Sequence, residues 1–122
     1  ITPRSTSSKI LVTAYVPISS SGGASADVPF LSVFRGSTNL VSPTSPGSRT
    51  PAYGSVLSYG GESMYAMSME ILDSPSATST LSYSVRMRTN GDTGYVNRSQ
   101  TDTDNSNFPR GVATITLMEV AG

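Results

Sequence analysis

Short runs in which apolar side chains recur at every second residue follow one another along the whole chain. This period of two is typical of β-strands, whose successive side chains point to opposite faces, and no run has the spacing of an amphipathic helix. The clearest predicted strands are Lys9–Val16, Val28–Arg35, Glu62–Leu72, Leu81–Arg88 and Val112–Val120. With shorter strands between them the total is about eight, which predicts an all-β, antiparallel jelly-roll sandwich.

The first and last predicted strands carry apolar side chains on both faces. Ile10 and Val12 alternate with Leu11 in the first strand, and Ile115 and Leu117 alternate with Met118 in the last. In a small sandwich only one face of a strand can pack on the core, so the second apolar face needs another cover. The pattern therefore predicts a homo-oligomer, with Ile10, Val12, Ile115 and Leu117 at or near the core between subunits.

Turn-forming residues divide the strands. Asn90-Gly91 is a strong hairpin signal, and it predicts that Leu81–Arg88 pairs with the residues after the turn, so that Arg86 faces Tyr95 and Val85 faces Val96. Pro17 is expected to end the first strand, and the following serines and glycines to form a loop. The proline-rich stretch from Ser42 to Pro51 predicts a long surface loop.

The chain has 122 residues, enough for one domain and one core. Residues 9–122 are predicted to form this single domain, and the polar residues 1–8 an arm or linker. Serine and threonine make up almost a third of the sequence while large aliphatic residues are sparse, which again favours stability shared between subunits. Because the sequence begins with Ile1, we expect a fragment or processed product of a longer chain.

Eight basic and eight acidic residues give a formal net charge of zero, without a basic run. This distribution argues against nucleic-acid binding, which depends on clustered Lys and Arg. No apolar run is long enough for a membrane-spanning helix, so membrane insertion is not expected. Cysteine and histidine are both absent, which removes thiolate chemistry and the usual general base near neutral pH.

A family resemblance rests on four segments and on the order of the elements between them. Leu72-Asp73-Ser74-Pro75 precedes the penultimate hairpin, and Asp102 and Asp104 follow it. With these features the chain resembles the C-terminal domains of bacteriophage tail-fibre and related virion proteins, which are similar to trimeric jelly rolls of the tumour-necrosis-factor and complement-head type. The resemblance implies a homotrimer on a virion, beside other virion proteins. The four segments are Lys9–Thr13, Phe30–Gly36, Tyr95–Ser99 and Ala113–Val120.

Four residues near the proline-rich stretch form a candidate receptor-binding set, namely Arg49, Tyr53, Tyr59 and Tyr65. Aromatic faces stack on sugar rings and a guanidinium donates to hydroxyls and carboxylates, so an exposed set would suit a glycan or protein on a host surface. The alternative is that the tyrosines cover the end of a small core or pack at a subunit contact.

Catalytic and metal sites are not predicted. The candidate carboxylates for glycoside hydrolysis are scattered along the sequence. Asp102-Thr103-Asp104-Asn105 has the oxygen-rich composition of a calcium loop but lacks its glycine and distal glutamate, so solvated turn residues are favoured and no cofactor is expected. The scattered carboxylates are Glu62, Glu70, Asp73, Asp102 and Asp104.

Three functions follow from these observations. The leading hypothesis is a non-enzymatic virion domain at the tip of a phage fibre or spike, acting in host-surface attachment. The first alternative is a capsid decoration protein that cements a shell and binds no receptor. The second is a small lectin-like or glycosidase module.

Overall fold

The computed structural model describes residues 1–21, 28–41, 47–56 and 61–122, and these residues form two antiparallel β-sheets. The predicted all-β class is confirmed, because every regular element of the described residues is a strand. The strands are β1 (Lys9–Ser20), β2 (Phe30–Arg35), β3 (Thr38–Asn39), β4 (Gly54–Ser55), β5 (Tyr65–Asp73), β6 (Tyr83–Arg88), β7 (Gly94–Val96) and β8 (Thr114–Val120).

The first sheet is built around β1. β5 pairs with β1 along one edge, from the Ile10/Asp73 pair to the Ile18/Tyr65 pair. Along the other edge, β8 pairs with the first half of β1 and β7 with its last three residues. The first and last strands of the chain therefore lie side by side.

The second sheet is built around β2. β6 pairs with the whole of β2, from the Phe30/Arg88 pair to the Arg35/Tyr83 pair. The two short strands β3 and β4 share the opposite edge of β2. Each sheet therefore has one central strand, and those two strands supply most of the buried apolar side chains.

The core lies between the two sheets and follows the alternation that the sequence predicts. The even-numbered residues of β1 point inward, and Ile10 and Ile18 have no exposed surface. On β5 the odd-numbered positions face the core, with Met69 buried and Met67 and Ile71 half-buried. The buried apolar set is Ile10, Val12, Ala14, Val16, Ile18, Leu31, Val33 and Met69.

The expectation that Pro17 ends the first strand is wrong, because β1 continues through it to Ser20. The carbonyl oxygen of Pro17 accepts a hydrogen bond from the Asn97 N–H at 2.9 Å. Because N and O of one strand residue point to the same edge, the absent N–H of Pro17 also faces the edge where β1 changes partner from β8 to β7. The proline therefore removes no hydrogen bond to β5, and the serines after it lie in a buried strand.

The predicted hairpin around Asn90-Gly91 is also wrong. β6 pairs with β2 in the second sheet, whereas β7 pairs with β1 in the first. The turn therefore carries the chain from one sheet to the other, and Arg86 faces Ser32 instead of Tyr95. Gly91 has a φ of 130°, a conformation that residues with a Cβ rarely adopt, so the turn itself is correctly located.

Residues 1–8, which the sequence predicts as an arm or linker, lie against the sandwich. Ile1 and Leu81 exchange two backbone hydrogen bonds, of 3.0 and 2.8 Å. Pro3 and Ser8 are buried, and Ile1 packs against the edge of the core. The segment is therefore an integral edge of the domain in this structure.

Candidate functional site

An exposed apolar row crosses the outer face of the first sheet. Leu11 on β1 is paired with Leu72 on β5 and with Met118 on β8, so the three side chains lie side by side across three strands. Leu72 is 53% exposed and Met118 is 57% exposed. Val120, opposite Lys9, extends the same surface on β8. We call Leu11, Leu72 and Met118 the apolar row.

The rest of this outer face is neutral and rich in hydroxyl groups. Thr13 lies between Glu70 and Thr116, and the next row places Tyr15 between Ser68 and Thr114. Lys9 and Glu70 are the charged residues that the strand pairing places on this face of β1, β5 and β8. A surface with apolar and hydroxyl groups and so little charge is readily desolvated, which is a property of protein interfaces.

The four residues predicted for the subunit interface lie on the opposite side of the same strands. Ile10 is fully buried and Val12 is 1% exposed within the single chain, so neither side chain has surface left for a partner. Leu117 is half-buried against the core, and Ile115 is 45% exposed at its rim. The outer face of these strands is apolar only in part, because Leu11 and Met118 lie there beside Thr13 and Thr116.

A local signal in the sequence indicates which face of β1 points outward. Leu11 is followed at alternate positions by Thr13 and Tyr15, whose hydroxyl groups favour the outer side of a sheet. Ile10, Val12, Ala14 and Val16 contain no polar side-chain atom and form the uniformly apolar side. The sequence thus contained the information that the odd-numbered side of β1 points outward.

Tyr53 closes one flank of the sandwich. It lies just before β4 in the second sheet, and its hydroxyl oxygen accepts the backbone N–H of Glu70 on β5 at 2.9 Å. The N–H concerned is on the edge of β5 that β1 does not cover. Beside this contact, Tyr53, Tyr15, Thr13, Ser68 and Glu70 border a depression of about 460 Å³.

The structure describes three of the four predicted receptor-binding residues. Arg49 is exposed, Tyr53 is 39% exposed and Tyr65 is 41% exposed, while Tyr59 lies outside the described residues. Tyr65 begins β5, five residues from the Glu70 N–H that Tyr53 contacts, a separation of about 16 Å along a strand. The aromatic partner that the depression brings to Tyr53 is Tyr15, which the sequence did not single out.

The other flank of the sandwich is open. Among the described residues β6 pairs only with β2 and β8 only with β1, so their outer edges face each other without a strand between them. An apolar cavity of about 240 Å³ lies there, lined in part by Leu31, Val85 and Ile115. The partial exposure of Ile115 follows from this opening.

A buried polar cluster joins the two sheets at one end. One terminal nitrogen of Arg35 on β2 lies 2.7 Å from both carboxylate oxygens of Asp73 on β5. The hydroxyl of Tyr83 on β6 donates to the same carboxylate at 2.6 Å. Burial, together with the Asp73 hydrogen bond, raises the pKa of the Tyr83 phenol far above its ordinary value. The cluster therefore acts as a clamp between β5 of the first sheet and β2 and β6 of the second.

The other predicted carboxylates do not gather into a catalytic pair. Asp102 lies 2.7 Å from Arg110 and 3.6 Å from Arg98, so its charge is compensated by two guanidinium groups. Glu70 is the single carboxylate among the described residues that border the Tyr53 depression. In the described ranges no group of three or more His, Cys, Asp or Glu residues could hold a metal ion. The Asp102–Asn105 turn is therefore organised by ion pairs with arginine.

These features define a two-sheet, all-β domain with an exposed apolar sheet face. In the part of the chain that the structure describes, no helix has the length and apolar character needed to cross a bilayer. Comparison with models of known families, with curated proteins and with solved structures found no match.

Proposed function

We propose that this chain is a homotrimeric jelly-roll domain of a phage fibre or spike that acts in host-surface attachment. The observation that carries the proposal is the apolar row on the outer face of the first sheet. Leu72 and Met118 each leave more than half of their surface exposed in the single chain. Adjacent large side chains exposed on a regular strand surface are typical of interaction sites.

A second copy of the chain is the occupant that best suits this face. Beyond the apolar row the face carries hydroxyl groups, with Lys9 and Glu70 as one cation and one anion. Copies arranged around a symmetry axis can bring such opposite charges together while the apolar rows exclude water. The threefold number and the virion setting come from the resemblance to tail-fibre domains.

The attachment role is proposed without catalysis. Asp73 and Asp102 are ion-paired with arginines, and one oxygen of Glu119 accepts the Arg4 backbone N–H at 2.7 Å. Glycoside hydrolysis by the usual route needs two carboxyl groups facing one bond, one of them free to act as an acid. Release of reducing sugar from host polysaccharide by the purified chain would contradict this part of the proposal.

Met118→Glu tests the assembly face. We expect the unmodified chain to sediment as a trimer and the variant as a folded monomer, because a carboxylate at this position would have to be desolvated in the interface. Mass is measured by sedimentation equilibrium and folding by circular dichroism. Thr38→Glu, at an exposed position of the second sheet, is the matched control and should remain trimeric.

A monomeric unmodified chain at high concentration, or a trimeric Met118→Glu variant, would overturn the proposed assembly. Leu117→Asp would not test the assembly, because Leu117 packs against the core and a charge there would unfold the single chain. Attachment is tested separately, by binding of the labelled chain to host cells and to expanded capsids. Binding to capsids alone would favour the decoration role over attachment.

A further inference from the structure

A groove lies on the outer face of the second sheet, away from the proposed assembly face. Two cross-strand pairs form its floor, namely Phe30 with Arg88 and Ser32 with Arg86, and Phe34 lines the groove beside them. Thr50 and Pro51 form one wall, and the groove encloses about 320 Å³. Such a volume is within the range of small-molecule sites.

Internal contacts of Arg86 and Ser32 hold the groove in shape and leave Phe30 and Arg88 facing it. The Arg86 guanidinium lies 4.1 Å from the centre of the Phe34 ring and donates to the Gly36 carbonyl oxygen. The Ser32 hydroxyl donates to the Pro51 carbonyl oxygen at 3.1 Å, which fixes the wall to the floor. Phe30 and Arg88, at the other end, have no such contact with each other and face the groove together.

The charged side chains that line the groove are all positive. Three other arginines of the described chain are paired with acids, namely Arg35 with Asp73 and both Arg98 and Arg110 with Asp102. Arg86 and Arg88 have no carboxylate partner among the described residues, and no acidic residue lines the groove. Two guanidinium groups two residues apart on one strand face, about 7 Å at their backbones, therefore give this concavity a positive potential.

We propose that this groove binds an acidic saccharide, a sugar unit that bears a carboxylate. A guanidinium presents a planar pair of donors that matches a carboxylate, and Arg88 is available to provide it. The half-buried ring of Phe30 provides the apolar surface on which the C–H face of a sugar stacks. Two arginines on a chain of zero net charge are too few for a polyanion such as nucleic acid, which requires a longer basic track.

The inference rests on the proposed attachment function, because it names the class of ligand to which the domain would attach. The two remain separable because the groove and the apolar row are on different sheets. A trimer that binds no acidic sugar would overturn the inference and leave the assembly intact. A monomer that binds the acidic sugar would overturn the proposed assembly and support the inference.

The test is a titration of the full chain with a glucuronic-acid disaccharide, in which binding is measured by NMR chemical shifts and by calorimetry. The matched probes are the neutral glucose disaccharide, sodium acetate and sodium sulfate. We expect saturable binding of the acidic disaccharide, at least about tenfold tighter than binding of any other probe, because only this ligand combines the charge with the ring face. Shifts should be centred on Phe30, Ser32 and Arg88.

Arg88→Gln is the informative variant, since this side chain makes no ion pair whose loss would disturb the fold. Its affinity for the acidic disaccharide should be about tenfold lower than that of the unmodified chain. The affinity of Arg88→Lys should lie between these two values, because lysine keeps the charge but lacks the planar pair of donors. Arg4→Gln removes an exposed cation outside the groove and should leave affinity unchanged. No saturable binding, equal binding of the neutral disaccharide or of acetate, or an unaltered Arg88→Gln affinity would each overturn the proposal.

Discussion

Asp73 is the residue at which charge and hydrogen bonding join the two sheets. Its side chain is 8% exposed, and it accepts from Arg35 and Tyr83, which belong to the other sheet. The donors on Arg35 and Tyr83 compensate for the water that this carboxyl group loses on burial. The clamp therefore fixes how the end of β5 sits against β2 and β6.

Asp73→Ala should lower the free energy of unfolding by about 3 kcal/mol, because Arg35 would keep a partly buried charge and Tyr83 a hydroxyl group with no acceptor. Urea denaturation followed by circular dichroism measures the change. Asp104→Ala, at an exposed turn position, is the control and should stay within about 0.5 kcal/mol of the unmodified chain. Equal stabilities of the two variants would show that the clamp contributes nothing.

Tyr83 gives the clamp a dependence on alkaline pH. Its pKa in the folded chain is raised above the ordinary value of 10.0, first by burial and then by the Asp73 hydrogen bond. A raised pKa means that the stabilisation is fully present below pH 10 and is lost as the pH rises from there towards the folded-state pKa. We expect the unfolding free energy to decline above pH 10, and to decline less in Tyr83→Phe, when unfolding is measured across that range. The same decline in both chains would contradict this assignment.

At the scale of residues, the sequence predicted which side chains fill the core but not which polar groups meet. The alternation of Ile10, Val12 and Ala14 with Leu11 and Thr13 is visible in any short window of the chain. Arg35 and Asp73 are 38 positions apart, and their contact depends on how two sheets stack. No local pattern encodes that distance, so the sequence identifies Asp73 only as one of the scattered carboxylates.

At the scale of elements, the errors concern pairing partners and not the strands themselves. Asn90-Gly91 does form a turn, but a turn signal reports only that the chain reverses or bends there. Val85 and Met87 on β6 are half-buried against the core and pair with β2, whereas β7 continues along the edge of β1 beyond β8. The partner of a strand is decided by where its apolar face can be buried, and this is a property of the whole sandwich.

Gly111 is required where β8 approaches the edge of β1. A Cβ at this position would lie 2.8 and 2.9 Å from two carbons of the rigid Pro17 ring. We expect Gly111→Ala to destabilise the chain by about 1–2 kcal/mol, since the ring cannot turn away and the backbone has to shift. Thermal unfolding measures the effect, with the neighbouring Val112→Ala as control because Val112 is 73% exposed. A Gly111→Ala chain as stable as the control would show that the close approach relaxes freely.

At the scale of the whole molecule, the two flanks of the sandwich differ. Tyr53 closes one flank through its contact with Glu70, while the other opens into the apolar cavity between β6 and β8. The sequence predicted two apolar layers and one domain, but composition and period contain no information on which edges remain unpaired. The groove formed by Phe30 and Arg88 was missed for the same reason, because its two sides come from strands more than fifty residues apart.

The two ends of the chain meet at Glu119. Hydrogen bonds from the Ser8 side chain and from the Arg4 backbone N–H lower the pKa of the Glu119 carboxyl below its ordinary value of 4.5. A lowered pKa contributes stability above pH 4.5, and this contribution is lost as the pH falls through the folded-state pKa. Acid unfolding of Glu119→Gln should therefore depend less on pH below 4.5 than that of the unmodified chain. An identical acid profile in both would exclude a role for this carboxyl.

The pairing of β1 with β8 also determines how the domain would respond to tension. Lys9 at the start of β1 is opposite Val120 at the end of β8, and the two strands run antiparallel from that point. A pulling force applied to both ends of the chain would load the hydrogen bonds of this pair one after another, as in opening a zip.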